Sequence, residues 1–132
     1  MKIKMTNTFL LRIGLAVILL AHSAMSIFSG DVNHFGRDYL DHAGFAPFGV
    51  YLAWIIKLTH LVSVPLLLMN KWLKIIGISN ILIFVMGVIL IHAREGWFVV
   101  GGGRNGMEFN FLLIICFLSL MFPDGIRSLF KK

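Results

Sequence analysis

The sequence predicts an all-α integral membrane protein built as a bundle of four transmembrane helices. The 132 residues are 58% hydrophobic and only 14% charged, against about 25% charged residues in ordinary soluble domains. The mean hydropathy is +0.89. A soluble fold of this length could not remove so much apolar surface from water, whereas a bilayer accepts it directly. We therefore expect the lipid bilayer to be the main environment of the chain.

The first two predicted spans are Phe9–Phe28 and Phe48–Met69. At 1.5 Å per residue, about 20 residues cross a hydrocarbon core of about 30 Å. The first span follows a basic start like that of a signal peptide, but Arg12 interrupts its apolar region, so we interpret it as a retained helix. Ser29–Ala46 is predicted to be a polar connection, and Pro47 suits the first turn of the second helix.

The third predicted span is Ile75–His92, which carries no charged residue before its final histidine. The last apolar run, Phe109–Phe122, is shorter than the ~17 residues that a crossing needs. We therefore expect the fourth helix to begin earlier, near Arg104, and to cover residues 104–122.

A glycine-rich segment, His92–Phe111, separates the last two spans. Gly101–Gly103 interrupt any long helix at its centre, and Trp97 is typical of a membrane–water boundary. We predict a folded cap that joins the third and fourth helices on the outer face. An ion pair between Arg104 and Glu108, four residues apart, is expected to hold it.

The distribution of Lys and Arg in short loops predicts the orientation. One side carries eight of these residues and the other three. The eight are Lys2, Lys4, Arg12, Lys71, Lys74, Arg127, Lys131 and Lys132, and the three are Arg37, Arg94 and Arg104. Both termini are therefore predicted to be cytoplasmic, which in a bacterium means a multi-pass protein of the inner membrane. The +6 net charge is scattered rather than continuous, which argues against a nucleic-acid partner.

Ionisable side chains inside the spans are the candidate functional residues, because each needs a partner or a water-filled cavity. His22 is expected about 10 Å from the outer edge, Lys57 about 14 Å below it, and His60 about one turn deeper. His92 ends the third span and Glu108 begins the fourth. We predict one outward-facing polar pocket, formed by His22, Lys57, His60, His92, Arg104 and Glu108.

The alternative interpretation of the same residues is a purely structural role. The long stem of Lys57 can carry its ammonium to the headgroups. The histidines can serve as interhelical hydrogen-bonding residues, which contribute around 0.6 kcal/mol each in membrane bundles. Arg12 is interpreted as an anchor at the cytoplasmic boundary.

Haem and metal sites are not predicted. The expected depths of His22, His60 and His92 differ by up to ~15 Å, which argues against haem ligation. The single cysteine, Cys116, forms no intrachain disulfide. No residue pattern indicates a catalytic group or a reaction.

Motifs along nearly the whole chain, Leu11 to Leu129, resemble the DoxX family of small four-helix bacterial membrane proteins. The matching motifs are Arg12-x-Gly14 with His22, Gly44-Phe45-Ala46-Pro47, Leu66-Leu67-Leu68-Met69-Asn70-Lys71, His92 with Gly96-Trp97-Phe98, and Gly106-Met107-Glu108-Phe109. His60 stands where many members carry a glutamate. The length of 132 residues predicts a single domain over residues 1–132. The resemblance implies a quinone or redox-complex neighbourhood, because the family name is attached to subunits linked with thiosulfate:quinone oxidation and terminal quinol oxidation.

Two functional interpretations remain open. In the first, the chain is an accessory or redox-linked membrane subunit whose pocket meets a quinone headgroup or a small anion. In the second, it is a non-catalytic assembly subunit, and the polar residues only lock short helices together. A pathway for protons or small solutes is a third, weaker interpretation. Other membrane subunits or a second copy of the chain are the expected protein partners.

Overall fold

The computed structural model describes residues 6–101 and 104–125, and this part of the chain is helical with no β-strand. Three of its helices are long and apolar enough to cross a membrane. They are α1 (Phe9–Phe28), α3 (Gly49–Met69) and the continuous helix Leu73–Glu95. The third of these consists of α4 (Leu73–Gly87), a π-helical turn (Val88–His92) and α5 (Ala93–Glu95). The first three predicted spans are therefore helices of spanning length, with ends at or near the predicted residues.

The connection between α1 and α3, predicted as polar, contains two helical segments, the second of which is interrupted at Gly44 by a left-handed φ of 101°. It contains α2 (Asp31–His34) and a π-helical segment (Phe35–Phe45). Val32, Gly36 and Leu40 are its buried residues. They follow one another at four-residue intervals, so a single stripe of the segment packs inward, while His34, Arg37 and Asp38 between them are exposed.

The π-helical segment lies directly against the start of α3. A Cβ atom at Gly36 would lie 2.5 Å from the Val50 Cα, and one at Gly49 would meet the Gly36 carbonyl oxygen. Asp41 Oδ1 accepts a hydrogen bond of 2.8 Å from the Gly49 N–H. This bond gives an acceptor to one of the N–H groups that a helix start leaves without an intrahelical partner. The glycine contact and the carboxylate together fix where α3 begins.

The fourth apolar helix, α6, is Glu108–Met121 and has 14 residues. The expected start near Arg104 is wrong, because Asn105 has a left-handed φ of 58° and residues 104–107 belong to the preceding loop. At 1.5 Å per residue, α6 is about 21 Å long. It is therefore apolar but shorter than the three helices of spanning length.

The chain divides into two compact units, which are described separately. In the described residues, the first unit covers residues 12–71, and the second covers residues 72–101 and 104–125 together with residues 6–11. Gly102 and Gly103 of the predicted glycine turn lie outside the described residues, as do five of the basic residues counted for orientation. The single-domain prediction for residues 1–132 stays a prediction.

In the second unit, α4 packs against α6 through small and aromatic residues. The rings of Phe84 and Phe117 have centroids 6.0 Å apart. Gly77 lies against Met121, and a Cβ atom at Gly77 would come within 2.5 Å of the Met121 Sδ. Close approach through a small residue is the usual way in which helices pack in membranes, where apolar area alone gives no preference for protein over lipid.

Candidate functional site

Three of the predicted site residues lie together in the first unit, on facing stretches of α1 and α3. Lys57 Nζ is 3.4 Å from the His22 carbonyl oxygen. The imidazole rings of His22 and His60 have centroids 5.9 Å apart. We call His22, Lys57 and His60 the imidazole–lysine cluster. The sequence predicted their proximity from depth alone, and the structure brings them together.

Burial distinguishes the members of the cluster. His60 is 1% exposed and Lys57 is 6% exposed, whereas His22 is exposed at the surface of α1. The Lys57 side chain therefore does not extend to the surface, and the alternative in which it snorkels to the headgroups is wrong. Lys57 and His60 belong to the buried stripe of α3, with His22 at the edge of the cluster.

Helix geometry places this cluster well inside α3. Lys57 lies about 12 Å along the helix axis from Gly49, and His60 about 4 to 5 Å further. Buried residues recur along the same stripe at intervals of three and four, as the helical repeat requires. They are Gly49, Ala53, Lys57, His60, Ser63 and Leu67. The two ionisable residues thus occupy positions where an apolar helix would place core side chains.

Arg12 is a buried residue that contacts the end of α3, and its interpretation as an anchor at the cytoplasmic boundary stays a prediction. It is 0% exposed, and its Nη1 donates to the carbonyl oxygens of Leu67 at 2.7 Å and Leu68 at 3.1 Å. These carbonyls belong to the last turn of α3, where Leu67 also accepts from the Asn70 N–H at 3.1 Å. A cation there is also favoured by the helix dipole. Arg12 therefore caps the end of α3 from α1.

The other predicted residues lie in the second unit, around the loop of residues 96–107, which we call the 96–107 loop. Its two ends pair through the main chain, from Met107 N–H to Gly96 O at 3.1 Å and from Glu108 N–H to Trp97 O at 3.0 Å. His92 Nδ1 donates to the Asn105 carbonyl oxygen at 2.7 Å. The loop is therefore fixed by hydrogen bonds across its width.

Glu108 binds the main chain of this loop, so the predicted ion pair with Arg104 is wrong. Its Oε1 accepts hydrogen bonds from the N–H groups of Val99 at 2.8 Å and Val100 at 3.4 Å. Arg104 is exposed, and across residues 6–101 and 104–125 the ion pair found is His34–Asp38. The i,i+4 rule assumes that both residues are helical, but Arg104 precedes the start of α6.

The second unit also has a small cavity of about 140 Å³ beneath the 96–107 loop. Its lining residues are all apolar, and they are Val85, Val88, Ile89, Trp97, Met107, Phe111 and Ile114. Such a lining supplies no group that could orient a polar headgroup by hydrogen bonding. The polar chemistry of this unit is in the main-chain contacts of His92 and Glu108 instead.

The six predicted residues therefore fall into two sets, each inside its own unit. His22, Lys57 and His60 form the imidazole–lysine cluster, whereas His92 and Glu108 fix the 96–107 loop and Arg104 is exposed. A common pocket for all six stays a prediction. In the described part of the chain, no group of three His, Cys, Asp or Glu side chains is placed to hold a metal ion.

Some polar contacts could not be predicted from the sequence. Asn80 is 0% exposed and donates from Nδ2 to the Ile76 carbonyl oxygen at 2.7 Å, and Trp54 Nε1 donates to Asn33 Oδ1 at 3.0 Å. An asparagine within an apolar run was the available signal for Asn80. No spacing rule connects Asn33 with Trp54, because the turn between them depends on the π-helical segment.

The fold and these sites define an all-helical protein whose three long apolar helices are consistent with a multi-pass membrane protein. Comparison with protein-family models, curated proteins and solved structures found no match to this chain. The DoxX resemblance therefore stays a prediction from the sequence motifs.

Proposed function

We propose that this chain is an integral membrane subunit of a redox-linked complex, and that its imidazole–lysine cluster meets a quinone headgroup or a small anion. The observation that carries the proposal is the burial of Lys57 and His60 on one stripe of an apolar helix of spanning length. Ionisable groups are costly at such positions and are characteristic of functional sites in membrane proteins. The redox connection is supported by the resemblance to the DoxX family.

The chemistry of the cluster suits an oxygen ligand. The Lys57 ammonium supplies N–H donors, and each neutral imidazole supplies one donor and one acceptor. A quinone carbonyl or an oxyanion accepts hydrogen bonds from these groups. In a site from which water is excluded, such bonds are stronger electrostatically than in water. The residues bind and orient the ligand, and electron transfer belongs to the partner subunits of the proposed complex.

The proposed topology has four membrane-embedded helices, α1, α3, α4 with α5, and α6. Both termini face the cytoplasm of a bacterial cell, as the excess of basic residues on one side favours. The 96–107 loop then forms the outer cap between the third and fourth helices. A helix as short as α6 is accommodated by local thinning of the bilayer or by packing against neighbouring helices.

The alternative function is that of a non-catalytic assembly subunit. Arg12 favours it, because the side chain of this cation is as little exposed as that of His60 and yet contacts main-chain carbonyls at the end of α3. A buried ionisable residue in this chain can therefore serve packing alone. The binding experiment below separates the two functions.

Titration of the purified protein with a short-chain quinone analogue, in detergent, tests the proposed function. His60→Ala is expected to abolish saturable binding while the protein keeps its helical content. His42→Ala is the matched control, since His42 is exposed in the π-helical segment, and it should bind like the unmodified protein. Unchanged binding in His60→Ala would leave the assembly function as the better explanation.

A further inference from the structure

The Lys57 ammonium is buried without a carboxylate beside it. Of the Asp and Glu residues in the described part of the chain, none has an oxygen within 4.0 Å of Lys57 Nζ. Asp31 acts on it electrostatically from further away, but Asp31 is exposed and its Oδ2 accepts a hydrogen bond of 2.6 Å from Ser29 Oγ. The first unit therefore encloses a cation with no ion-pair partner at contact distance.

The hydrogen-bonding capacity of this ammonium is also largely unused. An ammonium carries three N–H donors, and among the described residues Lys57 Nζ has one hydrogen bond, at 3.4 Å to the His22 carbonyl oxygen. Helical carbonyls normally accept an intrahelical bond as well. Arg12 provides the internal comparison, since its Nη1 makes contacts of 2.7 Å and 3.1 Å with two carbonyls at the end of a helix. The two buried cations therefore differ in their contacts, and among the described residues one of the three N–H donors of Lys57 has a partner.

We infer that the ligand of the imidazole–lysine cluster is an anion, whose carboxylate or oxyanion oxygen contacts Lys57 Nζ. This inference rests on the proposed function and narrows it, because a neutral quinone carbonyl supplies an acceptor but no charge. An isolated cation away from water is strongly unfavourable, and an opposite charge at contact distance compensates for it. The rings of His22 and His60 lie next to the same region, where their N–H groups contribute further donors.

A pair of probes that match in shape and differ in charge tests the inference. Benzoate and benzamide have nearly the same shape and both present a carbonyl oxygen, but only benzoate is an anion. Isothermal titration of the detergent-solubilised full-length protein is expected to show saturable binding of benzoate, at least about tenfold tighter than that of benzamide, because hydrogen bonds to charged groups are the stronger ones. A parallel titration with sodium sulfate distinguishes an organic carboxylate from an inorganic oxyanion as the source of the charge.

Substitutions at Lys57 assign the effect to this side chain. Lys57→Gln keeps N–H donors but removes the charge, and it should weaken benzoate binding about tenfold or more. Lys57→Arg keeps the charge and should retain most of the affinity. Lys74→Gln is the matched control, because Lys74 is exposed at the start of α4. Melting curves of all variants establish that they are folded.

The outcomes separate the inference from the proposed function. Equal affinity for benzoate and benzamide, or benzoate binding that survives Lys57→Gln, would overturn the inference. If the quinone analogue binds in a His60-dependent manner while benzoate and sulfate do not bind, the ligand is neutral and only the inference fails. If none of the three probes binds, the inference and the proposed function both fail.

Discussion

The two buried cations of the first unit, Arg12 and Lys57, have different hydrogen-bond contacts although both lie between α1 and α3. Arg12 donates to two main-chain carbonyls at the end of α3, of which the Leu67 carbonyl also accepts from the Asn70 N–H. Lys57 lies along the middle of the same helix, where the carbonyls of the opposing helix are already in use. The position along the helix therefore decides whether a buried cation is satisfied by the fold or remains available to a ligand.

Replacement of Arg12 by leucine is expected to destabilise the protein by about 1–3 kcal/mol, because the Leu68 carbonyl loses the Arg12 donor and the Leu67 carbonyl keeps only the Asn70 N–H. The stability of Arg12→Lys should lie between those of the unmodified protein and Arg12→Leu, since lysine keeps a charge but not the planar guanidinium geometry. Melting temperature in detergent measures the effect. Arg94→Leu is the control at an exposed arginine, and an equal loss in both variants would show that the Arg12 contacts contribute nothing specific.

The sequence predicted which residues carry charge inside the spans, but it predicted their partners poorly. His22, Lys57 and His60 were placed together by counting the helical rise, because depth in a straight helix is a local quantity. The partners of Arg12 and Glu108 are main-chain atoms of other segments. Every residue type has a main-chain carbonyl, and all but proline have a main-chain N–H, so the residue types do not identify such partners. The ion pair with Arg104 was therefore predicted where the carboxylate in fact binds two main-chain N–H groups.

At the scale of elements, the 96–107 loop is organised by hydrogen bonds rather than by apolar packing alone. Its ends pair through Gly96 and Met107, and the Glu108 carboxylate closes it from the start of α6. Gly106 permits the close approach, since a Cβ atom there would meet the carbonyl oxygens of Trp97 and Phe98. A carboxylate in the first turn also suits the dipole of the helix.

Glu108→Ala is accordingly expected to lower the melting temperature, with a cost of about 1–2 kcal/mol from the loss of a charge-assisted acceptor for the Val99 and Val100 N–H groups. Glu95→Ala is the control, because Glu95 is exposed. Glu108→Gln should recover part of the stability, since its amide oxygen can still accept. Arg104→Ala should be neutral, and a loss as large as that of Glu108→Ala would restore the ion-pair explanation.

Hydropathy located the long helices well and the remaining elements less well. The bounds of α1 coincide with the predicted Phe9–Phe28, because nearly every residue there is apolar over one membrane thickness. The helical character of Phe35–Phe45 was not predicted, since exposed charges lower its hydropathy although Gly36 and Leu40 are buried. The start of α6 was predicted too early, because the helix was extended to residue 104 to reach the length of a membrane span, whereas it begins at Glu108.

For the whole molecule, the central question is how many helices cross the bilayer. Three are long enough by length and composition, whereas the 14 residues of α6 cross only if the membrane or the neighbouring helices adapt to them. The number of crossings decides on which side the chain beyond α6 lies.

A reporter that is active only in the periplasm tests this topology. Fused after Lys132 or after Asn70 it should be silent, and fused after Gly30 it should be active, because the basic residues favour the cytoplasmic side. The Gly30 and Asn70 fusions serve as the positive and negative controls. An active reporter after Lys132 would show that α6 does not cross and would remove the four-span topology.

The most direct test of a ligand-binding cluster inside this membrane protein is native mass spectrometry of the protein released from its own membranes. We expect the unmodified protein to carry a small acidic molecule that Lys57→Gln lacks and Lys74→Gln retains. Ultraviolet–visible spectra of the same samples would reveal a quinone if one were bound. The account would be contradicted if the bound molecules were the same in Lys57→Gln and in the unmodified protein.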